Sequence, residues 1–346
     1  MKNGLMKMAV AVMGGIVMMS VVGCGNSSSA ASSGKASTAV TKVVLGTQEM
    51  PNDEGIAKAK DYFSQEMGVD VEVKQFDSGK DVNVALASGD IDFGLLGSCP
   101  ATLAICNDLG VECIWIHEVL GSTESFVARS CTGIKTVADL KGKTIATPFA
   151  STSHFSALHA LENAGLSESD VKLLDMQPSE IYAAWQNGQI DAAYVWEPTL
   201  SSLSDTNILC TSEDMAKAGN MTTNVELVRT EFAQAHPEIV DAYIKAVSKS
   251  VDLYNSSTDE AVSTIAKALN LSTDAAKFQM SGSTWLTAKQ QLGTDYFGTT
   301  QQPGSLAQNL YDTASFLKDQ GSISSVPDKS VFEKAVNAQF IEDSLK

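Results

Sequence analysis

The chain has 346 residues and a formal net charge of −17, from 24 Lys and Arg against 41 Asp and Glu. That balance excludes nucleic acid and anionic lipid surfaces as partners, because both need clustered basic groups. A small anionic ligand stays compatible, since a few local donors rather than the net charge hold one. A hydrophobic content of 44% and the length of the chain suit two domains of ordinary size.

In chain order, the N-terminus comes first. Lys2 and Lys7 make a basic start, and Met8 to Val22 is an apolar run without a charge, too short and too abruptly ended for a membrane span. Val21-Val22-Gly23-Cys24 matches the lipobox of exported bacterial lipoproteins. Residues 1–23 are therefore expected to be a cleaved signal peptide, with Cys24 as the first mature residue and the lipid attachment site. Removing two lysines and no acid takes the charge from −17 to −19. Residues 24–41 are rich in Ser, Ala and Gly and read as a flexible tether. Lipid plus tether anchors a body to a membrane instead of threading it across. Five further cysteines, Cys99, Cys106, Cys113, Cys131 and Cys210, cannot all pair, so a disulfide scaffold is not the stability plan. If one bridge forms, Cys113 with Cys131 is the candidate, since both flank predicted strands.

The body reads as alternating elements. Val43 to Gly46 is a strand, Gly55 to Met67 a helix, Val69 to Phe76 a strand, Asp81 to Ser88 a helix and Ile91 to Leu96 a strand. Pro100 to Leu109 is a helix, Cys113 to His117 and Ser125 to Arg129 are strands, and Val137 to Lys141 is a short helix before Gly142. Thr144 to Ala146 is a strand, Ser151 to Ala164 a helix, Val171 to Leu174 a strand, Ser179 to Asn187 a helix and Ile190 to Val195 a strand. A last strand covers Asn224 to Arg229, and the remainder is nearly all helix. Alternation of this kind predicts parallel α/β units.

Two stretches share one design. Gly89-Asp90-Ile91-Asp92-Phe93-Gly94 runs on to Gly97-Ser98-Cys99-Pro100, and Gly188-Gln189-Ile190-Asp191-Ala192-Ala193 runs on to Trp196-Glu197-Pro198. Each has a Gly where a helix must stop in a left-handed residue, then a short apolar strand, a polar loop and a Pro suited to a new helix. Ligands of open α/β sheets sit beyond the carboxyl ends of strands. Building that edge twice predicts two lobes facing one cleft.

Phe76-Asp77-Ser78-Gly79, Leu86-Ala87-Ser88-Gly89-Asp90, Leu96-Gly97-Ser98 and Pro148 to His154 occur in that order, followed by Ala183-Ala184-Trp185-Gln186, Ala193-Tyr194-Val195-Trp196, His236-Pro237-Glu238 and Leu286-Thr287. The ordered set resembles the taurine-binding components of bacterial ABC importers, in the wider group that binds taurine, aliphatic sulfonates, nitrate and thiamine precursors. The resemblance covers about residues 43 to 346. It implies a type II periplasmic-binding-protein fold: two α/β lobes around a ligand cleft, with a helix-rich C-terminal return. The expected division is 42–128 and 229–346 for lobe 1 and 129–228 for lobe 2, with crossings near Ala128-Arg129 and Val225 to Val228. It also implies a monomer that hands taurine or another small sulfonate to a permease with its ATPase, outside the cytoplasmic membrane or on the periplasmic side where an outer membrane exists.

Taurine carries a sulfonate and an ammonium. The sulfonate needs several donors, best supplied by helix N-termini. Ser98 precedes the Pro100 helix, Ser151, Thr152 and Ser153 open another, and Gln48 at the end of the first strand resembles a glutamine of the family. Plain N-capping would also account for the serines. The ammonium needs a carboxylate and an aromatic face. Glu197, next to Trp196 at the mirrored strand end, is preferred over Glu49 and Asp77, and Trp196 over Trp185. Two departures from the resemblance matter: taurine-binding relatives carry an Asp where this chain has Asn224, and often a small residue where it has Glu197. Glu197 is therefore expected to replace the acid missing at Asn224, while a different aliphatic sulfonate or small anion remains the alternative ligand.

No catalytic residue, cofactor or metal site is predicted. His117, His154, His159 and His236 show no metal spacing, and neither a Gly-x-Ser-x-Gly elbow nor a phosphate loop occurs. An enzyme of thiamine-pyrimidine synthesis shares the fold group but fits an export signal poorly. A tethered sensor ectodomain is the third reading.

Overall fold

The computed structural model describes residues 40–346; the expected signal peptide, Cys24 and most of the tether lie outside the described residues. Two five-stranded sheets organise the rest. The first runs β2-β1-β3-β10-β4, from β1 (Lys42–Gln48), β2 (Asp70–Phe76), β3 (Phe93–Gly97), β4 (Val111–Val119) and β10 (Thr223–Arg229). The second runs β7-β6-β8-β5-β9, from β5 (Glu124–Arg129), β6 (Thr144–Thr147), β7 (Lys172–Asp175), β8 (Ala192–Trp196) and β9 (Thr206–Thr211). Helices α1 (Asp53–Ala59), α2 (Tyr62–Met67), α3 (Gly79–Ser88) and α4 (Ser98–Cys106) accompany the first sheet, and α5 (Thr152–Asn163), α6 (Pro178–Gln186), α7 (Thr199–Ser202) and α8 (Ser212–Lys217) the second.

The mirrored stretches do what their residues require. Gly89 and Gly188 adopt φ of +75° and +67° and end α3 and its counterpart α6. Asp92 then accepts the Val44 amide at 3.0 Å, and Asp191 accepts the Thr144 amide at 2.9 Å, so the same acid pins the neighbouring parallel strand in each lobe. β3 and β8 follow, and their carboxyl ends face one cleft.

After β10 the chain is helical: α9 (Thr230–Ala235), α10 (Pro237–Ser256), α11 (Thr258–Ala268), α12 (Thr273–Met280), α13 (Ala288–Gln291), α14 (Leu306–Asp319), α15 (Lys329–Ala335) and α16 (Gln339–Ser344). α10 shows why this tail joins the first lobe. Ile239, Val240, Tyr243, Ile244, Val247 and Val251 recur at three- and four-residue spacing and are all buried in the same core as Leu45, Phe93 and Trp115. Tyr243 stacks with Phe63 and Phe93 at 5.1 and 4.8 Å between ring centroids. From α14, Phe316 reaches the second lobe and meets Phe155 of α5 edge-on at 4.8 Å. No helix of the described residues is long and apolar enough to cross a membrane.

Four expectations are corrected. The chain leaves the first sheet between Val119 and Glu124 and returns between Thr211 and Thr223, so Ala128-Arg129 lies inside β5 and Val225 to Val228 inside β10 instead of at crossings. The expected boundaries 42–128 and 129–228 therefore cut across both elements. Second, the sheets are mixed: β10 is antiparallel to β3 and β4, and β5 to β8 and β9. A strand that has just crossed from the other lobe enters its new sheet in the reverse direction. Third, β9 was not expected, because Thr-Asn-Ile-Leu-Cys-Thr alternates weakly and forms a half-buried edge. Fourth, all five cysteines of the described body are free, with Cys113 buried in the first sheet and Cys131 exposed beyond the second. Thiol titration of the denatured, unreduced protein is expected to give five equivalents from these residues; three would restore one bridge.

Candidate functional site

A narrow cleft lies where the two strand ends meet. Gln48, Met50, Gly79, Gly97, Pro100, Glu118, Leu120 and Asn224 line it from the first sheet and its helices, and Glu124, Ser151, Thr152, Trp196 and Glu197 from the second, with Thr123 at the crossing. Its free volume is about 30 Å³, on a scale where one water takes about 10–15 Å³. The lobes are close: a Cβ on Gly97 would lie 2.7 Å from Cγ2 of Thr152.

Two helix N-termini approach each other here. α4 opens directly after Gly97 and α5 after Ser151, whose hydroxyl accepts the His154 amide at 3.1 Å. First-turn amides have no intrahelical partner and favour an anion. The hydroxyls of α5 are differently employed. Those of Thr152 and Ser153 donate to Oε2 of Glu124 at 2.6 and 2.9 Å, and Ser212 donates to its Oε1 at 2.7 Å. Glu124 thus takes up the side-chain hydrogens, leaving backbone amides as the donors α5 can offer an oxyanion. Ser98 and Ser153 are buried beside the cleft and not in its lining. The Ser98 hydroxyl lies 3.4 Å from the Thr223 amide, between α4 and β10. Gln48 spends one amide hydrogen on the Leu95 carbonyl at 3.1 Å and keeps the other.

Glu118, Glu124 and Glu197 stand in the wall, whereas the lining holds no Lys, Arg or His among the described residues. Burial pushes all three carboxyls above the usual range, against the hydrogen bonds that pull them down. Glu197 accepts the amide and hydroxyl of Ser201 at 3.0 and 2.7 Å, so it caps α7 while facing the cleft. Glu118 accepts Nδ2 of Asn224 at 2.8 Å. Trp196 lines the cleft; Trp185 is buried in the second lobe with its indole N–H on the Ser204 carbonyl at 2.9 Å. Glu49 bonds Gln75, and Asp77 accepts from Ser179 at 3.0 Å across the lobes. Sequence reasoning missed Glu118 and Glu124. The available signal was a carboxylate in or beside an apolar strand, Trp115-Ile116-His117-Glu118-Val119 and Glu124-Ser125-Phe126-Val127, where an unpaired acid would be expensive.

Behind the cleft runs a fully buried polar spine. His117 of β4 places Nδ1 2.7 Å from Asp53 Oδ1 and Nε2 2.9 Å from Glu226 Oε2. Trp115 donates to Asp53 at 2.8 Å and Tyr243 to Glu226 at 2.7 Å. Burial alone would lower the His117 pKa, but the two carboxylates outweigh it and hold the imidazole protonated. Nearby, Glu54 is raised to about 8 by burial first and by the Glu226 charge second. Its folded value thus exceeds the ordinary 4.5, so stability contributed at low pH is lost as pH climbs toward about 8. Relative to Glu54→Gln, the unmodified protein is expected to lose about 1.4 kcal/mol per pH unit across that window. Urea midpoints of both proteins at pH 5 and pH 8 check this; parallel curves would refute it.

Two α/β lobes, two crossings and a closed cleft between strand ends define a periplasmic-binding-protein fold, the architecture of proteins that hold a small solute between lobes. The chain belongs to the NMT1/THI5-like family, whose profile matches residues 55–261. It is 34% identical to the taurine-binding periplasmic protein of Escherichia coli, over 87% of this chain and 92% of that protein. Among solved structures, the alkanesulfonate-binding protein of Xanthomonas axonopodis pv. citri bound to MOPS aligns with a TM-score of 0.71 at 22% identity, covering 87% of this chain and 99% of that one. The periplasmic aliphatic sulphonate binding protein of Escherichia coli aligns at 0.67 and 20% identity, over 85% and 92%. These structural likenesses bear on the fold. The three proteins named here are binding proteins.

Proposed function

We propose that this solute-binding protein captures taurine and delivers it to an ABC permease with its ATPase, held outside the cytoplasmic membrane by lipid on Cys24. The observation that carries the reading is the make-up of the cleft wall. Two helix N-termini supply amides for an oxyanion, and three carboxylates without a basic side chain supply a negative wall. A plain alkanesulfonate or nitrate would meet that wall unfavourably, whereas a zwitterion satisfies both ends. The 34% identical relative named for taurine supports the same ligand. Binding draws the lobes together by hinge motion at the two crossings. The Val21-Val22-Gly23-Cys24 sequence supports lipidation, and the body acts as a monomer.

A thermal-shift screen of taurine, ethanesulfonate, nitrate and an aminomethylpyrimidine tests the ligand. Taurine at 100 times its Kd is expected to add about 2.7 kcal/mol of apparent stability and to give the largest shift. A response to the pyrimidine alone would overturn the reading. Incorporation of labelled palmitate that is abolished by Cys24→Ala would support the anchor.

A further inference from the structure

Resting on the hinge motion proposed above, we infer that Phe316 of α14 is a strap between the lobes, outside the cleft, whose packing on α5 favours the closed form and sets affinity without touching the ligand. α14 carries two stripes. Leu306, Leu310, Ala314 and Leu317 are buried in the core of the first lobe. Asn309, Asp312, Phe316 and Gln320 recur at three- and four-residue spacing and line a groove. Its opposite wall is Phe155, Leu158, His159 and Glu162 of α5, at the same kind of spacing, and Gly219 and Asn220 of the return crossing lie between the two. The groove holds about 560 Å³ of open space, so the stripes do not pack along their length. Phe316 bridges it at one place, meeting Phe155 edge-on at 4.8 Å and His159 at 5.5 Å between ring centroids. Among the described residues it alone packs against the cores of both lobes.

Position makes this contact sensitive to closure. Asn309 donates to the Met221 carbonyl of the return crossing at 3.1 Å, which pins α14 beside the hinge. Phe316 lies two turns further on, about 10 Å along the helix. Rotation of the second lobe about the crossings therefore carries α5 past Phe316 while Asn309 keeps its place. A ligand that binds the closed form alone has its apparent affinity scaled by the fraction of protein that is closed. A contact made on closing raises that fraction for every ligand alike, whereas a side chain in the cleft favours one ligand over another.

The experiment is isothermal calorimetry with taurine and ethanesulfonate on the unmodified protein, Phe316→Ala, Phe316→Leu, Phe155→Ala and the double alanine variant. Ligand-free urea midpoints confirm that each variant folds. Phe316→Ala is expected to weaken taurine by about 5- to 30-fold and any binding of ethanesulfonate by the same factor, through faster dissociation in stopped-flow. Phe316→Leu keeps apolar packing and is expected to stay within about threefold of the unmodified protein. Phe155→Ala removes the other ring of the same contact, and it serves as the test from the second lobe if Phe316→Ala does not fold. The double variant is expected to bind within about twofold of the weaker single variant. Unchanged affinity in the folded alanine variants would mean that the rings stay packed in both forms, and tighter binding that they hold the lobes apart. Either result, or a loss confined to one of two ligands that both bind, would overturn the strap. Unmodified protein that binds ethanesulfonate but not taurine would overturn the taurine reading alone, with the strap then read on ethanesulfonate. Unmodified protein that binds neither would overturn both.

Discussion

Replacing His117 with alanine is expected to destabilise the unliganded protein by about 3–5 kcal/mol, read as a fall in the urea midpoint. The imidazole is fully buried and bridges Asp53 at 2.7 Å and Glu226 at 2.9 Å. Its removal leaves two buried carboxylates near Glu54 with no cation among their hydrogen-bond partners. The spine ties α1 to β4, β10 and α10, so the loss is felt across the first lobe. Because the folded His117 pKa lies above 6.5, the stabilisation is full below that value and fades as pH rises through the folded one. The gap between His117→Ala and the unmodified protein should therefore be wider at pH 6 than under strongly alkaline conditions. A cost under about 1 kcal/mol at pH 6 would show that water or rearrangement compensates the two acids.

Gly97→Ala is expected to weaken ligand binding by about 10- to 100-fold while hardly changing the unliganded melting temperature. The backbone at Gly97 has φ of −68°, which any residue adopts, so the substitution carries no local strain. The added Cβ would meet Thr152 Cγ2 at 2.7 Å. Thr152 cannot swing away cheaply, because its hydroxyl is held on Glu124 at 2.6 Å. Overpacking of this kind costs about 1–3 kcal/mol, and under the hinge motion proposed above it falls on the closed form, in which the α4 and α5 N-termini come together. Calorimetry with taurine beside a melting curve without it separates the two effects. Unaltered affinity would mean that the anion site does not depend on this approach of the lobes.

Much of the architecture was legible because it rests on local chemistry. Gly89 and Gly188 announced helix ends, and Asp92 and Asp191 sit at matching points after them. The i, i+3, i+4 spacing of Ile239, Val240, Tyr243 and Val247 announced a helix with one buried face. Gln48, Ser151, Thr152, Trp196, Glu197 and Asn224 do meet in one cleft. What was illegible depends on partners far away in sequence. Whether Ala128 and Val225 are crossings or strand interiors depends on which sheet each strand joins, and a strand's own residues do not encode that. The hydroxyls of Thr152 and Ser153 looked like ligand donors until Glu124 and Ser212 were seen beside them. Glu197, expected to face an ammonium, also accepts the amide and hydroxyl of Ser201.

By itself the sequence determined the alternating α/β plan, the mirrored strand ends, the helical return and the acidic character, because periodicity, glycine conformation and charge act over a few residues. Only the tertiary structure decided the allocation of the wall carboxylates. Glu118 and Asn224 are 106 residues apart, and Glu124 and Ser212 are 88 apart. A buried carboxylate's role depends on how many donors the fold brings to it, and that count exists only once the strands have paired.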